Sequence, residues 1–252
     1  MTCKIKYHCK TILSRKFKTI TNIKHCLESY HDFDKAEKAP KFFQTQSGGY
    51  GEGDQFLGVS VPNQRKVAKK FWADISETEL VKLLNDPIHE VRLSAVFMLV
   101  EKFNKAKGEQ KEHWVNIYLN NLVGINNWDL VDSSADKILG KWLLDKDKTV
   151  LYNLATSGDL WQERIAIVAT YEFIRNNQFE ETYKIAEMLL EHPHDLIHKA
   201  VGWMLKEMGK RSPEAEEYFL IKHYHKMPRT MLRYAIEKLG EQRRIAYLKG
   251  KI

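Results

Sequence analysis

Apolar residues along this chain recur with the spacing of helix faces, at i, i+3, i+4 and i+7, and strand-like alternation is nearly absent. The clearest units are DPIHEVRLSAVFMLVEKF (86–103), NNWDLVDSSADKILGKWLL (126–144), DLWQERIAIVATYEFIRNN (159–177) and DLIHKAVGWMLKEMGK (195–210). MPRTMLRYAIEKLGEQ (227–242) is a weaker fifth, and SETELVKLL (76–84) and FEETYKIAEMLLEH (179–192) are shorter helices between them. Most open on Asp, Asn or Pro, as helix starts do, and several close near Gly or Asn. Such units recur about every 30 to 45 residues, the period of helix-pair repeats. The expected fold is all-α: a solenoid of HEAT-like helical repeats with a concave binding surface, formed by one continuous domain over residues 28–252.

QSGGYGEGDQFLG (46–58) interrupts this pattern. It lacks the Lys-Ser/Thr ending of a phosphate-binding loop and follows no strand, so it reads as a flexible surface connection. Pro62 then starts a helix, PNQRKVAKKFW, with Arg65 over Lys69 and Lys66 over Lys70.

Composition narrows the class. Of 252 residues, 43% are hydrophobic and 29% charged, which suits a folded domain rather than a disordered chain. No apolar run approaches the length of a membrane span. Cys3, Cys9 and Cys26 have no CxxC partner, which suggests a reducing, cytoplasmic setting and no zinc site.

The net charge of +7 sits at the ends. Residues 1–27 carry seven Lys or Arg and no acid, and residues 226–252 carry eight against Glu237 and Glu241, so the middle is net acidic. Any basic contact surface there must be arranged on particular helix faces. The first 27 residues read as a basic N-terminal arm or the start of a first helix, with an organelle presequence as the other option.

Three helices break the amphipathic rule. At roughly 100° per residue from Trp128, the residues Val131, Ala135, Ile138, Leu139, Trp142 and Leu143 fall between about −80° and +60°, and Asp132 falls inside that sector. Asn126 or Asn127 already supplies the cap. A carboxylate on an apolar face is paired, hydrogen-bonded or functional, so a tie between repeats and a chemical role both stand. Arg164 shares its face with Leu160, Ile167, Val168 and Tyr171. It could reach out to a phosphate, or pair with Asp132 or another acid. Trp203 lies opposite the apolar face Val201, Met204, Leu205 and Met208, among Lys199, Lys206 and Lys210. Lysines interleaved with an aromatic ring suit a phosphodiester backbone, and ordinary packing against a neighbouring repeat is the alternative. No metal-ligand cluster and no Ser–His or Cys–His pair is evident. A carboxylate flanked by aromatic faces would stabilise a developing cation, such as the oxocarbenium-like state of glycosidic bond cleavage.

NNWDLVDSSADKILG, DLWQERIAI and IHKAVGWMLKE, in this order on a helical-repeat frame, resemble the AlkD-type family of DNA alkylation repair proteins, which are HEAT-like-repeat DNA glycosylases. The resemblance runs from about Asp34 to about residue 245. It implies that Asp132 is the catalytic carboxylate, that Trp128 and Trp203 pack on the deoxyribose backbone, that Arg164 serves in DNA binding and catalysis, and that Lys206 contacts phosphate, with Lys199 beside it. It implies duplex DNA containing alkylated, cationic purines as substrate, no cofactor, and a monomer. DKAEKAPKFFQT (34–45) matches the family's DNA-contacting helix, with Phe42 where some relatives carry tyrosine. The loop 46–55 looks longer than usual, and the basic start has no counterpart. The other readings are a non-catalytic HEAT-repeat module for distorted or branched DNA, and a protein-binding scaffold.

Overall fold

The computed structural model describes residues 19–252. The basic N-terminal arm lies outside the described residues as far as residue 18. Residues 19–28 form a helix that packs through Ile23 and Leu27, both fully buried.

Helices account for the regular structure: α1 (Thr19–Glu28), α2 (Phe33–Phe42), α3 (Val61–Phe71), α4 (Glu77–Leu84), α5 (His89–Lys105), α6 (Glu109–Leu119), α7 (Trp128–Ser134), α8 (Lys141–Leu143), α9 (Thr149–Ala155), α10 (Leu160–Arg175), α11 (Glu180–Met188), α12 (Asp195–Gly209), α13 (Pro213–His223), α14 (Arg229–Ala235) and α15 (Glu241–Lys249). No strand occurs among the described residues, and a single parallel bridge joins Gln55 to Ile88. The fold is all-helical, as the periodicity predicts. Each main packing is between helices one or two places apart in the chain, as in a helical repeat.

Two compact units divide after Leu130, inside α7. In the first, α5 packs on α3, α4 and α6, and α1 packs on α3. In the second, α10 packs on α9, α11 and α12, and α12 packs in turn on α13 and α14. Both α5 and α10 are surrounded. Every residue of α5 from His89 to Val100 is buried, as is every residue of α10 from Glu163 to Thr170. Such helices have no solvent face, so polar residues in their first turns must find partners inside the protein.

Local chemistry explains most boundaries. Ser76 and Glu79 form a reciprocal capping box at the start of α4. Asp159 caps α10, accepting from the backbone N–H groups of Trp161 and Gln162 at 3.0 and 2.9 Å. For α12 the cap is the His194 ring, whose Nδ1 accepts from Leu196 N, and Asp195 sits one position inside.

Three expectations are corrected. Residues 126–144 are not one uniform helix: a π turn at Asp136–Gly140 separates α7 from α8, with Gly140 N donating to Ala135 O at 2.9 Å. α10 passes close to this turn: a Cβ on Gly140 would lie 2.3 Å from the Ala169 carbonyl oxygen. The segment 227–242 is two helices, because the chain extends at Leu239 and restarts after Gly240. The glycine-rich stretch 46–58 is anchored rather than flexible. Glu90 accepts from the backbone N–H groups of Leu57, Gly58 and Val59 at 3.0, 2.7 and 3.2 Å, and His89 N donates to Gln55 O at 2.8 Å.

Candidate functional site

In the second unit, α10 grips two neighbours with consecutive side chains. Arg164 closes on Asp132 with Nε donating to Oδ1 at 3.0 Å and Nη2 to Oδ2 at 2.8 Å, while Nη1 donates to the Leu196 carbonyl at 2.6 Å. The Arg164 side chain is 6% exposed and the Asp132 side chain 22%, so the carboxylate is the more open end of the pair. Glu163 accepts from His192 Nε2 at 2.8 Å. The other His192 nitrogen, Nδ1, accepts from His194 N at 3.0 Å, which puts the ring proton on Nε2. α10 thus holds the turn before α12 by Glu163 through the His192 ring, and the first turn of α12 by Arg164 through the Leu196 carbonyl.

Along α12 the apolar face expected from the sequence is fully buried: Val201, Met204, Leu205 and Met208. Trp203 is half-buried on the other side. Its Nε1 donates to Glu207 Oε1 at 3.2 Å, and its ring centre lies 5.8 Å from that of Tyr171. The lysines around it each meet an acid. Lys199 pairs with Asp195 at 2.7 Å, Lys206 with Glu237 at 2.8 Å, and Lys210 with Glu207 at 2.6 Å. The Lys206 hydrogen bond holds the Glu237 carboxyl below the usual carboxylate range. The positive stripe is therefore balanced in place by neighbouring carboxylates.

In the first unit, Trp128 opens α7 and Asn127 Oδ1 accepts from its backbone N–H at 2.9 Å. The indole stacks on Phe43 with centroids 5.7 Å apart at 19°, and meets Phe42 edge-on at 5.8 Å. Phe42, at the end of α2, is 64% exposed. Beneath these rings lies a charged cluster absent from the sequence reading. His89 Nδ1 is 3.0 Å from Asp54 Oδ2 and its Nε2 is 2.8 Å from Asp129 Oδ2. Arg92 Nη2 donates to Asp54 Oδ1 at 2.6 Å and to Asn126 Oδ1 at 3.1 Å. Burial alone would lower the pKa of His89, but hydrogen bonds with Asp129 and Asp54 raise it to about 9. Asp54 is pushed up by burial and held lower on balance by His89 and the Arg92 charge. The clue in the sequence was DPIHEVRLSAV, where His, Glu and Arg fall within a helix otherwise rich in apolar residues.

Among the described residues, no group of three or more His, Cys, Asp or Glu side chains is arranged to hold a metal ion, and no helix is long and apolar enough to cross a membrane.

The fold and these two clusters define an all-helical protein with a half-open carboxylate in one unit and an exposed aromatic platform in the other. The chain belongs to the DNA alkylation repair enzyme family, whose pattern matches residues 23–239. Its place is therefore in the repair of alkylated DNA. A solved structure described as a predicted DNA alkylation repair enzyme from Enterococcus faecalis shares the fold, with a TM-score of 0.66 and 16% sequence identity over 84% of this chain and 97% of that one. No curated protein matches the chain significantly.

Proposed function

We propose that this chain is a monofunctional DNA glycosylase that releases N3- and N7-alkylated purines from duplex DNA by hydrolysing the N-glycosidic bond. The observation that carries the reading is Asp132, a carboxylate among apolar neighbours, fixed in orientation by the Arg164 fork and still 22% exposed. A purely structural tie would gain nothing from that opening.

The chemistry asks little of the protein. An N-alkylated purine is already cationic, so it departs as a neutral base and needs no proton from the enzyme. As the bond stretches, positive charge moves to the sugar, and a carboxylate fixed in advance stabilises it without reorganisation. Water then adds to the anomeric carbon, and its proton passes to the carboxylate or to solvent. Arg164 acts through Asp132, because its three engaged donors hold the carboxylate and the Leu196 carbonyl together. Trp128 and Phe42 in the first unit, and Trp203 in the second, offer ring faces to DNA, and Lys199 and Lys206 supply phosphate contacts. No amine is assigned as nucleophile, so strand nicking is not expected. The protein acts as a monomer.

The test is release of free base from N-methylated duplex DNA by wild type and Asp132→Asn, with EDTA present. Release by wild type alone supports the glycosylase. No release from either protein, with DNA binding intact, supports the second reading, a non-catalytic module for distorted or branched DNA. The engagement of both Asp132 oxygens by Arg164 favours that alternative.

A further inference from the structure

Several polar groups of the first unit's charged cluster bond to the residues on either side of Trp128. Asp129, which follows the indole, accepts from Leu130 N through Oδ1 at 2.9 Å and meets His89 through Oδ2. Asn127, which precedes it, holds the Trp128 N–H with its Oδ1, and its Nδ2 lies 3.5 Å from Asp54. Asp54 belongs to the glycine-rich loop, and that loop is seated against the same ring column. Gly51 N donates to Gln44 O at 3.2 Å, Tyr50 Oη donates to Phe42 O at 3.3 Å, and a Cβ on Gly51 would lie 2.3 Å from Phe43 O. The column runs from Trp128 to Phe43, and from Phe43 to both Phe56 and His89, at centroid distances of 5.7, 5.1 and 4.6 Å.

We propose that His89 is a positioning residue for Trp128: clamped between Asp54 of the loop and Asp129 of α7, it joins loop, ring column and the first turn of α7 into one seat for the indole. The role in DNA contact rests on the reading of Trp128 given above. The geometry requires the imidazolium. A neutral ring has one N–H, so one of the two carboxylates would face a lone pair at hydrogen-bond distance. The charged groups facing the ring are Asp54 from the loop, Asp129 from α7 and Arg92 from its own helix, while Phe43, just past the end of α2, and Phe56 of the loop present their rings. Two cations and two anions balance, so losing the His89 proton leaves an unpaired negative charge where α7 begins. The clamp therefore opens as pH rises through the folded-state value of about 9.

The experiment labels the protein with 5-fluorotryptophan and follows its 19F resonances, with Trp128→Phe identifying the Trp128 line. In free wild type that line should titrate with a midpoint near pH 9. In His89→Gln it should shift at neutral pH while the other tryptophans stay in place. Affinity for a duplex carrying one N7-methylguanine should fall about tenfold in His89→Gln. A Trp128 line that neither titrates between pH 7 and 10.5 nor moves in a folded His89→Gln protein overturns the proposal. If His89→Gln does not fold, the wild-type titration decides alone. Full duplex affinity in Trp128→Ala would instead remove the DNA-facing role, whatever the 19F result says of the clamp.

Discussion

Arg164 meets Asp132 side by side, two parallel N–H···O bonds of 3.0 and 2.8 Å, with its third donor group spent on the Leu196 carbonyl. This places the arginine behind the carboxylate, as its support, rather than out on the surface as a phosphate contact. Arg164→Lys keeps the charge and loses the fork. Base release should fall about 10- to 100-fold, as for loss of an orienting partner, with the fold intact. Arg164→Ala leaves a carboxylate uncompensated among apolar residues. The cost should be about 3 kcal/mol, read as a fall of about 10 °C in Tm. Wild-type release by Arg164→Lys would show that orientation does not matter.

Glu237 competes with a phosphate for the Lys206 ammonium. Glu237→Gln should therefore tighten duplex binding severalfold at low salt and steepen the dependence of log Kd on log salt by up to about one unit. Fluorescence anisotropy across a salt series measures both. An unchanged slope would remove Lys206 from the DNA interface.

Gly140 stands where α10 leaves no room for a side chain. Because the obstacle is a backbone carbonyl, it cannot swing aside. Gly140→Ala should destabilise by about 2 kcal/mol, within the usual cost of overpacking, seen as a lower urea midpoint. A neutral result would mean that α10 is free to slide.

Glu216 lies 4% exposed at the start of α13, its carboxyl against the α12 backbone at Gly209. Burial, with the neighbouring Glu217 charge, raises its pKa from 4.5 to about 8. The fold therefore favours the protonated form. Its full contribution is present below pH 4.5 and is lost between 4.5 and 8, as the unfolded chain ionises and the folded one does not. At pH 8.5 the penalty should be on the order of 5 kcal/mol. Glu216→Gln should remove this slope and be more stable than wild type at pH 8.5, measured by denaturant unfolding. Parallel pH profiles for the two proteins would rule the effect out.

Helix identity was legible wherever the apolar stripe was clean. The faces of α12 and α10 emerged from spacing alone, and so did the oddity of Asp132. α6 and α13 escaped notice because only Val115 and Tyr118 are buried on one, and Glu216, Phe219 and Leu220 on the other. The π turn was invisible to a uniform angular projection, which assumes the same angular step at every residue.

The same contrast separates the two candidate clusters. The order of motifs, the all-helical class and the misplaced carboxylate are properties of the chain read one segment at a time, because helical periodicity is local. The partner of Asp132 lies 32 residues away. Asp54, His89 and Asp129 come from a loop and two helices, 35 and 40 residues apart. Hydrogen bonds of that reach depend on which helices lie side by side, so only the tertiary structure decided that Arg164 braces Asp132 and that a glycine-rich loop is pinned beneath Trp128.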